Sequence, residues 1–293
     1  MKILSEAKIN LTLDIIGKLP QNYHYIKSIV LKIPIFDEIT FDYSDKDEII
    51  FENITIENSN IEKVLSLFFS KIEKKDKFFI KIKKNIPVGS GLGGGSSNAA
   101  KLLLLLNKIY NYPYSYEDLI SLAEKIGSDV PLFLRNEKLL LIYSKGEKLF
   151  PLYVKDYEFY FSIIYPNIKI STKDVYNEIK HIKLNEEKTD KVINKLLKGE
   201  NFIPFLGNDL EDYALKIKPE LKTIKNYLSK YNTLNVILTG SGSSFVCFFN
   251  SPESIFSLQN HLYLIERDLG YNFQIFHFHA LGWEKIYRID MRK

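Results

Sequence analysis

Cysteine is nearly missing: Cys247 is the only one in 293 residues. No disulfide can form within the chain, which suits a reducing compartment. Cys247 stands in the apolar run Phe245–Phe249, where a buried core thiol is expected. Arginine is almost as scarce: Arg135, Arg267, Arg288 and Arg292 stand against a Lys+Arg total of 40. Bidentate phosphate and nucleic-acid sites lean on arginine, and the lysines here are spread along the whole chain. The net charge of +4 therefore reads as a solvated surface, and no nucleic-acid partner is expected. No run of 18 apolar residues suggests a membrane span. The start, MKILSEAKINL, has neither the apolar stretch of a signal peptide nor the arginines of a transit peptide. A cytoplasmic protein with no membrane partner is expected.

What is present is globular: 45% hydrophobic and 26% charged residues. The length predicts two lobes or one large α/β domain. Strands dominate the first half. In Lys8–Ile15 polar and apolar residues alternate strictly, so a strand would place Lys8, Asn10, Thr12 and Asp14 on one face. Ser28–Phe36, Glu38–Tyr43 and Phe78–Lys83 read as further strands, and Ser96–Ile109 as a buried helix. The second half is more helical, with segments at Lys173–Ile182, Lys188–Leu197, Asp209–Ile217, Pro219–Tyr231 and Pro252–Leu269. A division falls near Leu149–Tyr157, giving units 1–152 and 153–293.

Glycine is concentrated at one place. Five of the 14 fall between Gly89 and Gly95, after a strand and before a helix. Backbone N–H groups in such a turn point inward, and the following helix adds its unpaired N–H groups and its dipole. This is the order of an anion site, and a tight turn alone needs one or two glycines. The dinucleotide fingerprint fits only formally: Gly89-x-Gly91-x-x-Gly94 is not in a first βαβ unit, and no acidic residue follows at the right distance. The Walker pattern needs a lysine that Gly94-Gly95-Ser96 lacks. Protein-kinase signatures are absent.

The string Pro87-Val88-Gly89-Ser90-Gly91-Leu92-Gly93-Gly94-Gly95-Ser96-Ser97 resembles the ATP loop of the GHMP kinases. Other segments agree in order: Ala7–Leu11, Asn22-Tyr23-His24, Gly127–Phe133, Ser171–Tyr176, Gly207–Glu211 and Thr239–Ser243. The resemblance implies a two-lobe α+β GHMP-kinase fold, with an N-terminal lobe like ribosomal protein S5 domain 2, a C-terminal ferredoxin-like lobe and the site in the cleft between them. It implies phosphoryl transfer from ATP, accompanied by Mg²⁺, to an alcohol. The small-molecule substrate implied is a cytidine diphosphate-linked methylerythritol, an isoprenoid precursor.

Residue roles follow from the same resemblance. Such a transfer runs through a loose transition state, so a well-placed carboxylate suffices as base. Asp129 is that carboxylate; taken by itself it also fits a helix N-cap before Val130-Pro131. Lys8 is implied as its catalytic partner, although an exposed strand lysine is the ordinary reading. Asn10, Tyr23, His24, Thr172 and Tyr176 are implied as substrate contacts, the aromatic ones around the cytosine. Pro87–Ser97 would hold ATP. The metal ligands are unassigned beyond Ser97, named as the loop serine. Gly240 and Gly242 either shape a loop at the phosphate end or form a plain hairpin turn. Three rivals stand beside this reading: another small-molecule kinase of the superfamily, a non-catalytic ATP-binding relative, and an RNA-binding module. Tyr23, His24 and Tyr176 argue against the first, and Lys8 with Asp129 against the second. The third lacks any RNP or KH string.

Overall fold

The computed structural model describes residues 1–19, 24–52, 54–56, 59–180, 188–231 and 233–290. Its first sheet is organised by one long strand. Strand β1 (Lys2–Asn10) and β2 (Thr12–Lys18) both run antiparallel to β3 (His24–Ser44), as do β5 (Lys77–Lys83) and β6 (Leu139–Ser144). Strand β4 (Glu48–Phe51) lies parallel to β5, and β7 (Lys148–Pro151) closes a hairpin with β6.

The two strands expected over Ser28–Tyr43 are thus one. Asp37, the expected break, stays in the ladder opposite Ser5, and the irregularity is a bulge before it: Glu6 pairs with Phe36 and Ala7 with Ile33, leaving Pro34 and Ile35 unmatched. Proline has no N–H for the ladder, so it belongs at such a bulge. The single strand expected over Lys8–Ile15 is instead two, broken at Leu11. Lys8, Asn10, Thr12 and Asp14 are all buried. The polar half of the alternation faces a polar interior between the lobes rather than water.

Helix α2 (Gly94–Ile109) packs on this sheet, and α1 (Asn60–Phe68) and α3 (Tyr116–Ile126) pack against α2 and each other. Helix α2 buries Ala99, Ala100, Leu102, Leu103 and Leu106. The α3 start is fixed by a capping box between Ser115 and Asp118.

The second sheet is antiparallel, in the order β10 (Asn235–Leu238), β11 (Phe245–Phe249), β8 (Phe159–Tyr165), β12 (Gln274–Ala280) and β13 (Ile286–Ile289). Its helices are α4 (Thr172–Asn177), α5 (Lys188–Lys198), α6 (Glu211–Ile217), α7 (Pro219–Leu228) and α8 (Pro252–Leu269). Cys247 is buried in β11, and burial pushes its thiol pKa up, as a core thiol requires. A two-residue strand, β9 (Gly207–Asn208), leaves this half and pairs parallel with Thr12 and Leu13 of β2. That pairing brings the turn after β10 against the glycine loop between β5 and α2. No helix of the described residues is long and apolar enough to cross a membrane.

Candidate active site

The loop after β5 depends on left-handed backbone. Gly89, Gly91 and Gly93 have φ of 73°, 81° and 74°, a region that side chains disfavour. Gly93 is the N-cap of α2 and offers no side-chain cap; no acidic residue stands in the first turn. The first-turn N–H groups and the helix dipole are therefore turned toward a ligand. They border a cavity of about 580 Å³. Pro87 through Ser96 all line it, whereas Ser97 does not. The Ser97 hydroxyl is fully buried and has no hydrogen-bond partner among the described residues. The helical turn carries it about 100° away from Ser96, which does line the cavity.

Lys8 reaches the same cavity from β1. Its backbone N–H donates to the Leu92 carbonyl at 3.0 Å, which seats the strand under the loop. Its ammonium donates to Asn10 Oδ1 at 2.7 Å and lies 3.5 Å from Asp129 Oδ2. Asn10 is held in turn: its Nδ2 donates to Ser28 Oγ at 2.8 Å, and its backbone N–H donates to Thr239 Oγ1 at 2.8 Å. The Lys8 side chain is 5% exposed and that of Asp129 39%. A buried, oriented cation thus faces a carboxylate that a ligand can approach. Asp129 is not a helix cap. The short 3-10 helix Pro131–Leu134 has Val130 as its N-cap, without a side-chain bond.

The far wall is aromatic and apolar. Tyr176 lines the cavity from α4, with Leu13, Ile26, Ile142 and Leu210 nearby. Burial and the Asp129 charge push the Tyr176 phenol far up, so it stays neutral. The His24 ring lies 5.4 Å from the Tyr176 ring, tilted by 31°. His24 is buried, and neither ring nitrogen has a hydrogen-bond partner among the described residues. Burial, reinforced by the nearby Lys18 charge, lowers its pKa, so the ring is neutral at pH 7. A buried imidazole without partners is costly unless a ligand supplies them. Thr172 also lines the cavity, and its hydroxyl shares a hydrogen bond of 2.7 Å with Ser241. Tyr23 and Asn22 lie outside the described residues.

Several participants gave no signal in the sequence. Lys84 and Lys145 line the cavity, but each is one lysine among many. Asn208 donates to the carbonyls of Leu238 and Gly240 at 2.8 and 2.7 Å and so shapes the turn that receives Asn10. Its segment resembles a family motif, yet nothing local reveals this task. Gly240 and Ser241 border the cavity, so the Thr239–Ser243 turn is part of the site and not a plain hairpin.

Comparison with known proteins agrees with this geometry. Residues 59–137 match the family model for the GHMP kinases N terminal domain, and residues 190–263 that for the GHMP kinases C terminal domain. The 4-diphosphocytidyl-2-C-methyl-D-erythritol kinase of Lachnoclostridium phytofermentans is 33% identical over 85% of this chain and 87% of its own. That of Fusobacterium nucleatum subsp. nucleatum is 36% identical over 86% and 89%. Among solved structures, a 4-(cytidine 5'-diphospho)-2C-methyl-D-erythritol kinase superposes with a TM-score of 0.75 at 25% identity, covering 96% of this chain and 99% of the other. Homoserine kinase from Cytophaga hutchinsonii shares the fold, with a TM-score of 0.73 at 16% identity over 99% and 97% of the two chains.

Proposed function

The chain belongs to the GHMP kinases and, among them, to the 4-diphosphocytidyl-2-C-methyl-D-erythritol kinases, and on that premise we propose how its residues divide the reaction. The fold is the two-lobe α+β fold of that family. The activity is ATP-dependent phosphorylation of the 2-hydroxyl of 4-diphosphocytidyl-2-C-methyl-D-erythritol, a step of the MEP pathway to isoprenoid precursors. We place the division between the lobes at residues 152 and 153, because β1–β7 precede it and the whole second sheet follows it.

The observation that carries the site assignment is the Lys8–Asp129 pair, 3.5 Å apart at one end of the glycine-loop cavity. Asp129 accepts the proton of the acceptor hydroxyl. Lys8, steered by Asn10, faces the oxygen on which negative charge grows as that proton leaves. The N–H groups of the loop and of the first turn of α2 hold the ATP phosphates. Tyr176 packs on the cytosine, and neutral His24 offers one donor and one acceptor to the base edge, which fits its two unpartnered nitrogens. Thr172 and Asn10 contact the rest of the substrate.

Mg²⁺ takes one or two carboxylates together with phosphate oxygens and water. No group of three His, Cys, Asp or Glu gathers among the described residues, but the Ser96 hydroxyl and the Asp129 carboxylate both border the cavity. That donor set fits an ion carried mainly by the nucleotide. When bound, Mg²⁺ neutralises charge on the β- and γ-phosphates. The cytoplasmic setting is inferred from the single, buried cysteine.

A coupled ADP-release assay with Mg-ATP tests the reading. 4-Diphosphocytidyl-2-C-methyl-D-erythritol is compared with methylerythritol 4-phosphate, homoserine and mevalonate. Turnover of the cytidyl substrate alone is expected. Equal turnover of another alcohol would remove the cytosine pocket, and inertness toward all of them would remove the activity.

A further inference from the structure

Asp37 is fully buried in the middle of β3 and does not border the cavity. A lone aspartate in such a place needs partners for every oxygen lone pair, and it has them. Oδ1 accepts from the backbone N–H groups of Asn85 and Ile86, both at 2.8 Å. Oδ2 accepts from Asn98 Nδ2 at 3.0 Å and from the Lys84 ammonium. The amide of Asn98 is shared further: Oδ1 accepts from Lys84 Nζ at 3.0 Å, and Nδ2 also donates to Ser5 Oγ at 2.5 Å.

These partners are not scattered. Residues 84–86 are the stem by which β5 enters the glycine loop. Asn98 lies in the second turn of α2, the stem by which the chain leaves it. One carboxylate therefore joins both ends of a loop whose own backbone contains three left-handed glycines. Lys84 gives the junction a second property. Its ammonium lies 3.1 Å from the point a Gly94 side chain would occupy. A cation beside a helix N-terminus is unfavourable for the helix and favourable for an anion bound there. Asp37 offsets the first effect while holding the lysine in place for the second.

We propose that Asp37 is a positioning residue that joins the two stems of the phosphate loop and, through Lys84 and Asn98, sets the affinity for ATP without touching it. This rests on the reading that the loop holds ATP. The arrangement predicts a specific rescue. Asp37→Asn turns an amide donor toward two other donors, Lys84 Nζ and Asn98 Nδ2. Asn98→Asp sets two carboxylates side by side. The double exchange, Asp37→Asn with Asn98→Asp, restores the pattern. The amide at 37 still accepts from Asn85 and Ile86, its NH₂ donates to the carboxylate moved to 98, and that carboxylate takes Lys84 and the Ser5 hydroxyl.

The test measures KM for ATP, KM for the cytidyl substrate and kcat on the full-length protein and the three variants. Each single variant is expected to raise KM for ATP by about ten-fold, the scale of one charged hydrogen bond, with KM for the cytidyl substrate changed less than about two-fold. The double exchange is expected to return KM for ATP to within about three-fold of the parent. If a single variant does not fold, a folded double exchange with near-parental KM for ATP supports the proposal on its own. A folded Asp37→Asn protein with unchanged KM for ATP would overturn it. So would equal rises in both KM values, or a double exchange that is unfolded or no better than the singles. A parent protein that fails to bind Mg-ATP in equilibrium dialysis would instead count against the loop assignment.

Discussion

Gly91 stands so close to Thr239 that a methyl group on its α-carbon would overlap the Thr239 carbonyl oxygen. The contact is reciprocal: a Cβ on Gly240 would lie 3.2 Å from the Gly91 carbonyl and 3.2 Å from Lys8 Nζ. The Ser244 backbone N–H donates to the Ser90 carbonyl at 3.1 Å. The two glycine turns, one from each lobe, thus meet backbone to backbone beside the Lys8 ammonium. Gly91→Ala is expected to cost about 1–2 kcal/mol for its left-handed φ alone, with the collision added. Thermal unfolding should show a clear fall in Tm, and turnover should drop with it; an unchanged Tm would show that the turns can separate freely.

Gly95 makes the opposite case. A Cβ there would meet nothing nearer than Asn60 Nδ2 at 3.8 Å, and alanine favours a helix over glycine by about 1 kcal/mol. Gly95→Ala should keep or raise Tm while raising KM for ATP, because the space it fills is cavity. If ATP kinetics are unaffected, the nucleotide does not use this part of the loop.

Asp129→Asn removes the proposed proton acceptor but leaves the cavity shape. Equilibrium ATP binding should persist while kcat falls by about 10²–10⁴, the usual size of a general-base contribution. Near-normal turnover of the folded variant would reassign the base.

Tyr176→Ala is expected to raise KM for the cytidyl substrate more than KM for ATP. Loss of base stacking costs about 1–3 kcal/mol, or about five- to a hundred-fold in affinity. An equal effect on both substrates would take Tyr176 out of the cytosine site.

His277 predicts an acid-sensitive stability unrelated to the site. It is buried between Ser162 Oγ at 2.7 Å and Gln259 Oε1 at 2.9 Å. Burial, reinforced by the Arg288 charge, lowers its pKa to about 4. The unfolded chain takes up the proton near pH 6.5 while the folded chain refuses it until about 4. Stability present above pH 6.5 is therefore lost as pH falls toward 4, by about 3 kcal/mol in all. His277→Gln should flatten Tm against pH across that window. A slope as steep as the parent's would exclude His277 as its source.

Some of this was legible because its physics is local. Glycine in Gly89–Gly95 answers a backbone requirement of the turn itself, so the loop and the helix after it can be read from adjacent residues. The α8 boundaries at Pro252 and Leu269 follow likewise from proline at a helix start and glycine after its end. The long strand β3 was harder. Asp37 looks like a break between two strands, and only the donors around it, with the bulge against β1 that takes up Pro34, explain how one strand carries both.

The sequence by itself determined the anion loop, the absence of disulfides and, by resemblance, the kinase family and the names Lys8 and Asp129. Whether Lys8 is an exposed strand lysine or a buried, aimed cation is not a property of its neighbours in the chain. That was decided by Asn10 beside it, by Leu92 above it and by a turn from the other lobe, brought there when β9 pairs with β2. Likewise Ser96 and Ser97 are alike in sequence, and the pitch of α2 sends one to the cavity and the other to the core. Coulomb and hydrogen-bond interactions act over a few ångströms in space, so which side chains share a site is fixed only when distant segments fold together.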